Sequence, residues 1–270
     1  MRVTANSIEI EYDLSVLPGA PVVTFSHSLA THMGMWDAQA AAMSSRYGVL
    51  RCDTRGHGRS DVPAGPYIFP QLMEDVRALL SDLGVRRTHF VGISMGGMVG
   101  QWLALTYPEL LHSLILCDTS ARTAPEARTI WDERIALAAR EGMEPHVQST
   151  IGRWFTPPFI GAHPELVDPL RAMIRGTDPQ GFIACAAAIK THDLLERLPQ
   201  IKIPTLIIVG EEDPGTPVAA AQAIHELIAG SELVVLESAS HLSNIEQAVG
   251  FNQALLRFLD RVSAEGAGRA

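Results

Sequence analysis

The chain has 270 residues, 47% of them hydrophobic and 19% charged, enough for one sizeable core or one core with an insertion. Its net charge of −9 excludes the basic footprint of a nucleic-acid-binding protein, though not a local cationic pocket. The longest apolar run, Phe90 to Leu105, is broken by four glycines, a serine and a glutamine, which excludes a membrane span.

The first residues, Met1-Arg2-Val3-Thr4-Ala5-Asn6, carry no apolar signal-peptide core, and they lead into the polar alternation of Ser7–Tyr12, read as an edge strand. The three cysteines, Cys52, Cys117 and Cys185, form an odd set at spacings without metal logic. Buried reduced thiols in a cytoplasmic protein are expected. Six short runs rich in β-branched residues follow: Pro21–Ser26, Val49–Cys52, His89–Ile93, Ser113–Cys117, Thr205–Gly210 and Glu232–Leu236. Between them lie amphipathic helical stretches at Gln71–Leu83, Met95–Tyr107, Val218–Ile228 and Asn244–Val262. Strand and helix in alternation spell an α/β fold, a mostly parallel sheet covered on both faces. The end of the chain, Ser263 to Ala270, is small and polar and is expected to fray.

That alternation stops between Ala121 and Leu194, a stretch far longer than an ordinary connection. Helical and loop-like sequence replaces it, with Trp131, Trp154, Phe155, Phe159 and Phe182, a Pro157-Pro158 break and several arginines. The expected organisation is a core of residues 1–120 and 195–270, with residues 121–194 inserted as a helical cap over the sheet's C-terminal edge.

Chemistry concentrates at Gly92-Ile93-Ser94-Met95-Gly96, a G-x-S-x-G between a strand and a helix. In that context the pentapeptide is a nucleophile elbow. Small residues flanking Ser94 let the chain turn sharply, so that the hydroxyl stands alone above the sheet and the Met95 N–H points where an oxyanion would form. A serine needs a base and a group to orient that base. In elbows of this kind the partners follow in the order Ser, Asp or Glu, His. The acid is read as Asp213, in the strand-exit turn Glu211-Glu212-Asp213-Pro214, with Glu211, Glu212 and Asp118 as rivals. Of ten histidines only His241 lies beyond the last strand and ahead of the final helix, which makes it the base. His32, His112, His146, His163 and His225 are read as surface or loop residues. The second oxyanion donor falls in Ser26-His27-Ser28-Leu29-Ala30, at the N–H of Leu29 or of Ser28, with His27 bracing the loop. Asp53-Thr54-Arg55-Gly56-His57-Gly58-Arg59-Ser60 lacks the lysine and the helix start of a phosphate cradle and is read as a structural turn.

On these motifs the chain resembles the α/β-hydrolase superfamily along essentially its whole length, and within it the 3-oxoadipate enol-lactonases. The likeness also rests on Gly65-Pro66-Tyr67, Arg153-Trp154-Phe155-Thr156, Thr177-Asp178-Pro179-Gln180-Gly181-Phe182 and His241-Leu242-Ser243-Asn244-Ile245-Glu246. It departs at Ala30, where the family usually has glycine and a narrower oxyanion loop is expected, and at Asp118, where asparagine is usual. Lys190-Thr191-His192-Asp193 also departs. The resemblance implies an eight-stranded sheet and a serine hydrolase cleaving a lactone or carboxylic ester through an acyl-enzyme, with no metal and no cofactor. The partner implied is a small lactone or ester, with no nucleic acid and no membrane; self-association into a homo-oligomer is left open. The family's substrate carries a free carboxylate, which is costly to bury without a cation. Arg134, Arg153, Arg175 and Lys190 are available in the cap. Arg134 and Arg153, beside aromatic residues, are the expected partners, and Trp36 and Trp154 the apolar walls. The competing readings are a carboxylesterase or acyl-homoserine lactonase on neutral substrates, a perhydrolase, and a slow-turnover ligand sensor.

Overall fold

The computed structural model describes residues 1–267. The chain opens with strands β1 (Arg2–Ala5), β2 (Ile8–Ser15) and β3 (Val22–Ser26), followed by helix α1 (Asp37–Met43) and strand β4 (Gly48–Cys52). Helix α2 (Phe69–Asp82), strand β5 (Thr88–Ile93), helix α3 (Met95–Thr106) and strand β6 (Leu111–Cys117) come next. Five helices then intervene: α4 (Ala127–Glu141), α5 (His146–Trp154), α6 (Pro157–Ala162), α7 (Pro164–Gly176) and α8 (Pro179–Lys190). The chain returns through strand β7 (Thr205–Gly210), helix α9 (Val218–Leu227), strand β8 (Glu232–Leu236), and helices α10 (Ser243–Glu246) and α11 (Ala248–Ala267).

Among the described residues the strands form one eight-stranded sheet in the order β1-β2-β4-β3-β5-β6-β7-β8. The β1–β2 and β2–β4 pairs are antiparallel and the remaining pairs parallel. Strands β5 and β7 are buried at every position, which is why they read as unbroken apolar runs rather than alternating ones. Helix α3 lies against β5 and β6, with Gly100 seated on Phe90 and Leu114. No helix among the described residues is long and apolar enough to cross a membrane.

Three features depart from the sequence reading. β1 is a strand of its own and takes the sheet edge, paired with β2 from Arg2↔Glu11 to Ala5↔Ile8, so the Ser7–Tyr12 run read as an edge strand lies one strand in, between β1 and β4. The expected helix Asn244–Val262 is two, because Gln247 leaves the helical region at φ −120 and ψ 48. The tail expected to fray from Ser263 continues as helix to Ala267, and the rest of that expectation, residues 268–270, lies outside the described residues.

Helices α4 to α8 form an excursion between β6 and β7, and its two ends are stitched together. Leu194 N donates to Ala121 O at 2.7 Å and Thr123 N to His192 O at 2.8 Å, closing an isolated bridge between Arg122 and Asp193. The Arg122 guanidinium lies 2.8 Å from the Asp193 carboxylate. The departing segment Lys190–Asp193 thus forms the base of the excursion. Cys52, Cys117 and Cys185 are free and buried, and burial pushes each thiol pKa up.

Candidate active site

The turn from β5 to α3 shows why its glycines are needed. A Cβ on Gly92 would sit 2.2 Å from Gly96 O, and one on Gly96 would sit 2.2 Å from Ser26 O. Relieving the first clash would separate β5 from α3, and relieving the second would separate β3 from α3. Ser94 between them adopts φ 53 and ψ −115, a left-handed conformation that costs a non-glycine residue roughly 1–3 kcal/mol. Three hydrogen bonds hold it there. Its N–H donates to Cys117 O at 2.9 Å, and its carbonyl accepts from Thr119 Oγ1 at 2.7 Å and from Met98 N at 3.1 Å. Thr119 was not foreseen from the sequence; the small-residue run at Gly97 was its only trace, since a Cβ there would meet Thr119 at 2.7 Å.

His241 Nδ1 lies 2.8 Å from Asp213 Oδ2, both side chains buried. The Asp213 carboxylate is fully occupied. Oδ1 accepts from Gly215 N at 2.7 Å and Thr216 N at 3.0 Å, and Oδ2 also accepts from Thr216 Oγ1 at 2.6 Å. This turn fixes the carboxylate so that the proton of the imidazole belongs on Nδ1, leaving Nε2 free as a base. Burial opposes ionisation of Asp213, but His241 and the Thr216 donors outweigh it and hold the carboxyl at about 2. Burial likewise opposes charging His241, and the Asp213 carboxylate outweighs it, so the imidazole pKa is raised. Glu211 and Glu212 are exposed. Asp118 is buried, but its oxygens accept from Gly210 N at 2.8 Å and Ser243 Oγ at 2.5 Å rather than from the imidazole. Burial, reinforced by the Asp213 charge, pushes its pKa up to about 8.

On the far side of Ser94, the loop after β3 is fastened to the loop after β4 by two histidines used reciprocally. His27 Nε2 accepts from Thr54 N at 2.9 Å, and His57 Nε2 accepts from Ala30 N at 3.0 Å. Burial lowers the pKa of both rings, that of His57 to about 3, so both stay neutral acceptors. Ala30 has φ 62, the conformation a glycine would adopt more cheaply. The Leu29 N–H has no acceptor among the described residues, and the Met95 N–H opens α3 where no intrahelical acceptor exists. The Asp53 loop is a turn. Asp53 accepts from Met33 N and Arg59 N, and a Gly58 Cβ would fall 2.1 Å from its carboxylate.

Ser94, Leu29 and His241 line one cavity of about 340 Å³ together with Trp131, Arg134, Arg153 and Trp154. The cavity lies at the C-terminal ends of the parallel strands, beneath α4 and α5, where open α/β sheets place their ligands.

A model of the alpha/beta hydrolase fold matches residues 21–248. The chain is 41% identical to 3-oxoadipate enol-lactonase 2 of Acinetobacter baylyi over 258 residues, 96% of either chain. Among solved structures, the enol-lactonase from Burkholderia xenovorans LB400 superposes with a TM-score of 0.93 at 36% identity, covering 96% of this chain and 100% of its own. A hydrolase from Pseudomonas aeruginosa PA01 superposes at 0.92 with 40% identity, covering 96% and 97%. The chain belongs to the α/β hydrolase family.

In this α/β hydrolase the cations of the helical excursion separate into two kinds. Arg175 pairs with Glu144 at 2.7 Å, and Lys190 pairs with Asp132, both at the surface. Arg134 and Arg153 line the cavity, and neither has a carboxylate partner among the described residues. The Arg134 guanidinium stacks 4.3 Å from the Trp131 ring centre and lies 5.5 Å from that of Phe182, and its Nε has no acceptor among the described residues. Burial, with Arg153 adding its repulsion, lowers its pKa to about 9, still cationic at neutral pH. The Arg153 guanidinium has one hydrogen-bond partner among the described residues, Thr150 Oγ1 at 3.2 Å.

Two expectations need correction. Trp36 does not wall the cavity: it is buried in the core between Phe25 at 5.0 Å and Phe251 at 6.1 Å. His146 is not a surface residue but is buried against Phe182, its Nε2 without a partner among the described residues and its pKa lowered by burial and then by Arg134 and Arg153. Trp36 ends a single 3-10 turn, Met33–Trp36, whose buried side sequence alone does not separate from a cavity wall.

Proposed function

We propose that this α/β hydrolase opens the ring of an enol-lactone that bears a free carboxylate, of the 3-oxoadipate enol-lactone type, through an acyl-enzyme on Ser94. Helices α4 to α8, within residues 121–194, act as the cap over a catalytic core of residues 1–120 and 195–270. His241 Nε2 takes the Ser94 proton as Oγ bonds the lactone carbonyl carbon. The Leu29 and Met95 N–H groups stabilise the oxyanion. Asp213 holds the imidazole in its Nδ1–H tautomer and stabilises the imidazolium.

Collapse of the tetrahedral intermediate breaks the ring C–O bond. The released enol accepts the proton from His241 and tautomerises to a ketone, so the tethered leaving group no longer competes as a nucleophile. Water, deprotonated by His241, then cleaves the ester to Ser94 and restores the serine.

The observation that carries the substrate class is the pair Arg134 and Arg153. Two guanidinium groups line the cavity without acidic partners among the described residues, an expensive arrangement that a substrate carboxylate would relieve. The relatives named enol-lactonases agree with this reading. A panel tests it: the carboxylate-bearing enol-lactone, acyl-homoserine lactones and short p-nitrophenyl esters, compared by kcat/KM. The carboxylate-bearing lactone should lead. Faster turnover of the neutral substrates would overturn the reading, and one slow turnover with retained product would indicate a sensor.

A further inference from the structure

Glu246 ends α10, five residues after His241, and its side chain is buried. Its Oε1 accepts from Thr156 N at 2.9 Å and Thr156 Oγ1 at 2.5 Å, and its Oε2 accepts from Ser240 N at 2.8 Å. No cation pairs with it among the described residues, so three donors from two distant segments hold the carboxyl group. Two further bonds run in parallel. Ser240 Oγ donates to Arg153 O at 2.9 Å and Leu242 N donates to Trp154 O at 3.0 Å. The residues on either side of His241 are thereby tied to the backbone of Arg153 and Trp154, which line the same cavity.

We infer that Glu246 is a positioning residue: it sets the register between the segment that holds the substrate's carboxylate and the loop that carries the base. The inference rests on the proposed role of Arg153. Only a carboxylate satisfies the geometry. Both oxygens face backbone N–H groups, at Thr156 and at Ser240, so a glutamine must turn its NH₂ against one of them whichever way it flips. An aspartate, one methylene shorter, reaches one end at a time. A carboxylate anchored on Arg153 then stands at a fixed distance from Ser94 and His241, and small misplacements of that kind cost rate rather than affinity.

The test is the ratio of kcat/KM for the carboxylate-bearing enol-lactone to that for p-nitrophenyl acetate, which has no carboxylate to anchor. Glu246→Gln should lower the ratio by about 10- to 100-fold, mainly through kcat on the lactone; the ester, which needs His241 but no anchored carboxylate, should fall by a smaller factor because Asp213 still orients the imidazole. Thr156→Val, which removes one donor and keeps the backbone N–H, should shift the ratio in the same direction by about threefold and serves if Glu246→Gln does not fold. A merely structural role would lower both substrates together. An unchanged ratio in the folded variants, while Arg153→Ala abolishes the preference, overturns the role of Glu246 alone. A wild type without preference for the carboxylate-bearing lactone overturns the proposed function, and this inference with it.

Discussion

Replacing Arg134 with methionine should separate function from stability. Methionine keeps much of the contact with Trp131 and Phe182 and removes the charge. Losing one partner of a desolvated charge pair costs roughly 2–5 kcal/mol. In the proposed complex Arg153 still holds the carboxylate, so the lower part of that range applies: about 2–3 kcal/mol, or about 30- to 150-fold in kcat/KM on the carboxylate-bearing lactone.

Stability should move the other way. The pKa of Arg134 is lowered to about 9 by burial and by Arg153, so below pH 9 the folded protein holds a cation that the unfolded chain carries more cheaply. The side chain borders an open cavity, which discounts that cost to about 1–2 kcal/mol. The lost stacking on Trp131 opposes the gain by about 0.5–1 kcal/mol. A net gain near 1 kcal/mol corresponds to a rise in Tm of roughly 2–4 °C at pH 7 for a chain of this size. Initial rates on the lactone and on p-nitrophenyl acetate, with thermal melts of the same samples, check both halves. An equal loss on the two substrates, or a fall in Tm, would refute the reasoning.

Asp118→Asn tests the raised carboxyl. Because its pKa is about 8 in the folded protein, Asp118 keeps a proton that the unfolded chain releases, so it weakens folding as pH climbs from about 4 to 8. Asparagine can keep the Gly210 and Ser243 contacts without the charge. The variant should be more stable than wild type at pH 9 by roughly 1–2 kcal/mol, with the gain shrinking to about a third of that at pH 5 and vanishing below about pH 4, and activity at pH 7 within about threefold. Gly96→Ala probes the elbow: alanine in a helix ordinarily gains about 1 kcal/mol over glycine, but here its Cβ would meet Ser26 O at 2.2 Å. Circular dichroism melts should show a net loss of at least about 2 kcal/mol, together with lost activity; a stabilised variant would refute the packing account.

Most of the α/β core was legible because buried parallel strands leave unbroken β-branched runs, and the elbow because its glycines are sterically compelled at Gly92 and Gly96. Asp213 and His241 could be picked by chain order alone. What surrounds them could not. Thr216 sits three residues past Asp213 in a short turn, where local spacing was a usable signal, but Thr119, His57 and Glu246 act across 25 to 90 residues of sequence. Trp36 illustrates the other limit, since aromaticity does not say which face of the fold a residue meets. Arg134 and Arg153 were separable from Arg175 and Lys190 only by their aromatic neighbours; the deciding difference, the presence of Glu144 and Asp132 beside the latter pair, is a tertiary fact.

Under the proposed function Ser94 attacks a carboxylate-bearing enol-lactone. The direct measurement is kcat on that lactone for wild type and for Ser94→Ala at equal folded concentration. Ser94 holds its left-handed conformation through backbone bonds that alanine retains, so the variant should fold. Wild type should turn the lactone over many times, and the variant should lose at least about 10⁴-fold in kcat, leaving only what the oxyanion donors and binding supply. A variant within about tenfold of wild type would contradict the account, because triad deletions do not leave that much activity.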